Sequence, residues 1–333
     1  MARTFVRGLL ALLLLAAGAA ASRNRSAPDS DAAFAAERAL EQRVATIAYR
    51  LATANLALCV RREWLPGFVV QDLSQYRAGQ RAAAIRAYRL DRGPGVLVLA
   101  PGGPAERAGL SPGDILVALD GAPPPGPAAS GDRRPPIDRL VDALDQVFAD
   151  GHADLAVDRG GTRVSVTIAA QEGCASRFEL VGDRGLRAWS DGRSVKVTIA
   201  LALYAADDAE LAAVLAHEFS HNILGHQARL DAARAARGLF SNFGRSAQLT
   251  RETEDEADRF SVYLLDRAGY DPAAAVRFWS RFGPRGIRLP GDDPTHPGWR
   301  RRVAALETEI AAIRAARAAG RVPSPPFAPP PAR

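Results

Sequence analysis

Only two of the 333 residues are cysteine, Cys59 and Cys174. That excludes a disulfide-dense scaffold. Neither has a histidine or second cysteine at ligand spacing, which argues against a thiolate metal site. Beyond the first two dozen residues, no apolar run reaches the ~20 residues that a membrane span needs. No internal repeat is present, so a solenoid is not expected. Basic residues number 43 against 37 acidic, for a net charge of +6. They are nearly all arginine and form no run interleaved with aromatics, so nucleic acid is not an indicated partner. What the chain does have is 47% hydrophobic and 24% charged residues. That is the balance of a globular protein with a core, at a length suited to two ordinary domains.

Residues 1–21 have the layout of a secretory signal. Arg3 and Arg7 precede an apolar core from Gly8 to Ala17, and small residues Gly18 to Ser22 offer a cleavage site. This points to export, into the periplasm of a Gram-negative bacterium. The rival reading is an uncleaved N-terminal membrane anchor, and any other membrane contact would be peripheral. In an exported chain the two cysteines suggest a disulfide, the alternative being two buried thiols. A Cys59–Cys174 bond would close a loop of 115 residues, worth roughly 4–5 kcal/mol on the chain-entropy model.

Residues 31–58 predict a helix, with Leu40, Val44, Ile47, Leu51, Ala54 and Leu58 spaced by fours and threes on one face. Residues 64–171 differ in texture. Short alternating runs, many glycines and prolines, and one amphipathic helix near Ile137–Phe148 indicate a β-rich unit. Val96–Leu99 and Ile115–Leu119 read as buried strands, and Leu155–Asp158 with Thr162–Ile168 as a hairpin. The run Ala108-Gly109-Leu110-Ser111-Pro112-Gly113-Asp114 between the first two strands resembles a PDZ domain. The resemblance implies binding of peptide C-termini by strand addition. Leu65-Pro66-Gly67-Phe68 then resembles the carboxylate-binding loop and Phe68–Gln71 the receiving strand, Gly67 being equally readable as a turn glycine. The cysteines bracket this unit, as expected of an inserted domain with neighbouring ends.

Residues 176–318 carry the chemistry. Leu186–Trp189 and Val195–Leu203 read as strands joined at Asp191-Gly192, with Val195–Ala200 a candidate edge strand for an extended substrate. Asp207 and Glu210 read as a capping box. The helix they start contains His217-Glu218-Phe219-Ser220-His221. Two imidazoles four residues apart lie ~40° apart around a helix and reach one metal ion. Glu218 sits beside them, where a carboxylate takes a proton from water. His226 would point ~140° from His221 on a continued helix, so it reads as a helix-terminal histidine. Glu254 is the better third ligand. Asp258, one turn on, would brace a ligand histidine, and the neighbouring Glu252, Asp255 and Glu256 read as a solvated helix start.

His217–His221 followed by Glu254-Asp255-Glu256-Ala257-Asp258, then Pro294-Thr295-His296-Pro297 and Arg300–Arg302, resembles the HtpX/BepA/CAAX-prenyl-protease family of gluzincin metallopeptidases. The resemblance covers about residues 31–58 and 176–315. It implies one Zn2+ per chain on His217, His221 and Glu254, with Glu218 as catalytic base. His296 becomes an oxyanion donor, a masking fourth ligand or a plain helix cap. The expected fold class is α+β: a mainly helical zincin-type core with a small β-hairpin or sheet, interrupted by a β-rich PDZ-like domain. Residues 319–333 read as a Pro-rich disordered tail. The implied function is metalloendopeptidase action on unfolded or misassembled envelope proteins. The other reading is a chaperone-like peptide-binding protein with a latent or structural zinc site.

Overall fold

A computed structural model describes residues 31–126, 134–235, 243–285 and 298–327. The signal-like residues 1–21 and His296 lie outside these. The fold is α+β. Helix α1 (Asp31–Ala54) buries Leu40, Val44, Ile47 and Leu51. Each such side chain is worth about 1.5–3 kcal/mol when fully removed from water. The helix ends at Ala54, which is exposed, and Leu58 reaches the same core half-buried from the 3-10 turn that follows. Asn55 is fully buried there and donates to the carbonyls of Leu51 (2.9 Å) and Leu264 (3.1 Å).

Cys59 and Cys174 are bonded, with Cα atoms 5.6 Å apart. Beside them β1 (Arg62–Leu65) runs antiparallel to a later strand, Gln171–Cys174, pairing Arg62 with Cys174. These strands form a neck. Between them the chain builds its own sheet from β2 (Phe68–Gln71), β3 (Gly95–Leu99), β4 (Ile115–Leu119), β5 (His152–Arg159) and β6 (Thr162–Ala169). The sheet is antiparallel in the order β2-β3-β4-β5-β6, leaving β2 outermost, and the neck strand Gln171–Cys174 is β7.

Three helices accompany this sheet: α2 (Ala78–Tyr88), α3 (Pro104–Arg107) and α4 (Pro136–Val147). The sequence suggested only α4, whose apolar face buries Leu140 and Leu144. Helix α2 escaped notice because it buries mainly alanines, with Tyr88 donating to the Phe34 carbonyl at 2.9 Å. The Gly113-Asp114 signature has a plain cause. Gly113 takes φ +89°, a region open to glycine. The buried Asp114 then accepts from Ser111 N (2.8 Å) and from Arg159 Nε and Nη2 (2.7 and 2.6 Å).

Beyond the neck lie β8 (Arg177–Val181), β9 (Ala188–Ser190) and β10 (Ser194–Thr198). Strand β10 is central, parallel to β8 and antiparallel to β9. Two expectations are corrected here. The strand expected to reach Leu203 ends at Thr198, whose hydroxyl accepts from Leu201 N (3.2 Å) and caps α5 (Ile199–Tyr204). Because β10 is paired on both sides, Val195–Ala200 cannot receive a substrate strand; the outer strands of this sheet are β8 and β9.

The remaining helices are α6 (Asp208–Ile223), α7 (His226–Ala235), α8 (Phe243–Arg267), α9 (Ala273–Phe282) and α10 (Trp299–Ala318). Leu211, Leu215 and Phe219 of α6 share one core with Phe260 and Leu264 of α8, Phe278 of α9, Leu306 of α10 and the α1 stripe. The expected disordered tail is corrected for its described part. Pro323 is buried, and Phe327 packs on the core with the Arg259 guanidinium 4.9 Å above its ring. Among the described residues, no helix is long and apolar enough to cross a membrane.

Candidate active site

Helix α6 starts where its caps dictate. Asp207 accepts from Glu210 N at 2.8 Å, and Glu210 reaches back to Ala206 N at 2.9 Å. It ends at Gly225, whose φ of +66° supplies the left-handed residue that terminates helices. Asn222 anchors the β9–β10 turn to this end, accepting from Gly192 N (2.8 Å) and donating to the Ser194 carbonyl (3.2 Å). The edge strand β9 is thereby laid beside the helix.

His217 and His221 face each other one turn apart, their Nε2 atoms 3.4 Å apart. Helix α8 packs against α6 across Ala257, which is fully buried, and brings Glu254 to the same point. Its Oε2 lies 3.4 Å from His217 Nε2 and its Oε1 3.6 Å from His221 Nε2. Ligands tetrahedrally arranged ~2.0–2.1 Å from a zinc ion stand roughly 3.3 Å apart, so this triangle fits that ion. The charge pattern agrees. Burial opposes protonation of His217, yet Asp258 and Glu254 outweigh it and pull its pKa upward. Burial and the neighbouring His217 push His221 down. Burial would raise Glu254, but His217 holds its carboxyl well below the usual range. These shifts leave His221 neutral and Glu254 ionised, the forms in which such groups ligate a metal.

Asp258 lies one turn beyond Glu254, with Oδ1 3.0 Å from His217 Nδ1. Arg302 of α10 grips both its oxygens, Nε to Oδ2 at 2.7 Å and Nη2 to Oδ1 at 2.6 Å. Glu218 lines an open cleft of about 1440 Å³ together with Trp189, Trp279 and Trp299. Burial raises its pKa. Gly67 and Phe68 stand far along the chain, at the start of β2. Gly67 adopts φ +80°, and its carbonyl accepts from Ala100 N at 2.8 Å.

Residues 183–244 and 235–310 match the model of peptidase family M48, and residues 95–128 match that of the PDZ domain. The chain carries a peptidase M48 domain. A PDZ domain stands ahead of it. The M48 domain holds both motif histidines, Glu254 and Asp258. Mitochondrial metalloendopeptidase OMA1 of Schizosaccharomyces pombe is 31% identical over 119 residues, 29% of this chain and 35% of that protein. "Putative beta-barrel assembly-enhancing protease" of Vibrio cholerae is 28% identical over 133 residues, 31% of this chain and 28% of that protein. The chain thus spans about a third of the length of these relatives.

Two readings are corrected at this site, those of His226 and Glu256. His226 does not continue α6. The reversal at Gly225 returns it to His221, Nδ1 to Nδ1 at 2.9 Å, and it is 1% exposed. Glu256, read as solvated, receives the other His226 nitrogen at 3.0 Å. A helix-ending glycine directly before a histidine was the available signal. Trp279 had none, and Arg302 stood out only within the Arg300–Arg302 segment, because what each touches depends on how α9 and α10 pack.

Proposed function

We propose that this chain is a zinc-dependent endopeptidase of the cell envelope, acting on unfolded or misassembled polypeptides whose C-termini the PDZ domain holds. One observation carries the reading: the triangle of His217, His221 and Glu254, with sides of 3.4, 3.4 and 3.6 Å, and Glu218 next in sequence at an open cleft. His217, His221 and Glu254 would hold a zinc ion, which would supply the Lewis acidity that lowers the pKa of water toward ~7. Glu218 takes the proton of the attacking water and returns it to the departing amine. Its burial favours the protonated form, which helps it keep the proton between the two transfers. The free edge of β9 holds the substrate extended, and the outer strand β2 with Gly67 and Phe68 receives a peptide C-terminus beside α4.

The envelope location rests on the signal-like residues 1–21 and on the name of the Vibrio cholerae relative. The other reading, a peptide-binding protein with a structural zinc, is less well supported. Structural zinc is usually closed by four protein ligands, whereas three converge among the described residues, beside a cleft. The test is Glu218→Gln in the full chain. It should keep one zinc per chain while casein hydrolysis falls about 10²–10⁴-fold. Hydrolysis at the parent rate would reject the mechanism.

A further inference from the structure

The two motif histidines are supported differently. His217 gives its Nδ1 to Asp258 directly. His221 meets a second imidazole, with His226 Nδ1 2.9 Å from its own Nδ1 and the rings 78° apart. Beyond it, His226 Nε2 lies 3.0 Å from Glu256 Oε2, and Arg229 completes the chain with Nη2 3.3 Å from Glu256 Oε1. The four residues come from the end of α6, the first two turns of α7 and the middle of α8.

Proton placement along this chain follows from valence. Two imidazole nitrogens at hydrogen-bond distance share one proton, since two lone pairs or two N–H groups would repel. His221 Nε2 faces His217 and Glu254, so as a ligand it presents a lone pair there and carries its proton on Nδ1. His226 Nδ1 is then the acceptor, and its own proton sits on Nε2. Glu256 accepts that proton, and Arg229 balances the carboxylate. Each step leaves a single arrangement.

We propose that His226 is a positioning residue for the metal site: it locks His221 in the Nδ1–H tautomer and fixes its ring, with Glu256 and Arg229 anchoring His226 in turn. This rests on the reading of His217, His221 and Glu254 as ligands. A buried imidazole suits the role because α7 starts where α6 ends, and Glu256 approaches from the opposite side of His226. Burial at 1% exposure keeps water from substituting for it.

The test uses the full chain and zinc alone, titrated against a chromophoric chelator, with imidazole ¹⁵N spectra reporting the His221 tautomer. The parent should bind one zinc and show the Nδ1–H form. His226→Ala and Glu256→Gln should each weaken zinc binding about 10–100-fold, and His226→Ala should show mixed tautomers. His226→Gln, which keeps an acceptor, should recover most of the affinity. Glu256→Gln leaves the buried ring in place, so it remains informative if His226→Ala unfolds. Zinc affinity in both Glu256→Gln and His226→Ala within about twofold of the parent would overturn the inference alone. A parent that binds no zinc would overturn the ligand reading as well.

Discussion

The Arg302 guanidinium lies over the Trp279 ring, 3.5 Å from its centroid, and from there holds both oxygens of Asp258. Stacked guanidinium and bidentate carboxylate together define one orientation. Helix α10 thereby reaches the M48 site directly, since Arg302 Nη2 also lies 3.4 Å from His217 Nε2 and 3.9 Å from Glu254 Oε2.

Removing that cation strands a buried carboxylate. Arg302→Met should destabilise the fold by about 3–5 kcal/mol, measured by urea unfolding. Adding Asp258→Asn should recover part of the loss, since an uncharged amide needs no counter-ion. A single mutant as stable as the parent would mean that the pair does not hold the helices together.

Zinc should stabilise the fold by mass action. At a free concentration 100 times its Kd, a ligand specific to the native state adds about 2.7 kcal/mol. Chelation should therefore lower Tm, and zinc should restore it. Glu254→Ala should show little response to either treatment. An equal zinc-dependent shift in that variant would remove Glu254 from the ligand set.

The neck disulfide constrains 115 residues of chain. Replacing Cys59 and Cys174 together by serine should cost about 2–5 kcal/mol, read from chemical denaturation. Because β1 and β7 are also paired through their backbones, native-like circular dichroism is expected at low temperature.

Glu41 on α1 is pushed up to about 7, first by burial and then by the charges of Glu37 and Glu179. A folded-state pKa above the unfolded value means that the native state holds the extra proton. Stability should then fall as pH rises from about 4.5 to 7 and level off above that. Glu41→Gln should flatten this slope and gain on the order of 1–3 kcal/mol at pH 8, with little change at pH 4. Parallel stability–pH curves for the two proteins would contradict it.

Much of this architecture is written in local pattern. Asp207, the His217–His221 spacing and Gly225 specify α6 within twenty residues, and Gly113-Asp114 marks a turn whose carboxylate has a buried duty. Long-range pairing is not written that way. Nothing in Arg177–Val181 announces a parallel partner, and Thr198 reads as a strand residue until its hydroxyl caps α5. His226 was misjudged because helical periodicity was extended past a glycine that reverses the chain. Phe327 follows a proline-rich stretch, which describes the backbone there and says nothing about what its ring touches.

The crosslink at the neck has a topological result. A peptide bond cut anywhere between positions 59 and 174 leaves both fragments on one covalent molecule. A nick in the PDZ domain, including one made by a second copy of the protein, would pass unseen on a non-reducing gel and would show as two bands only after thiol treatment.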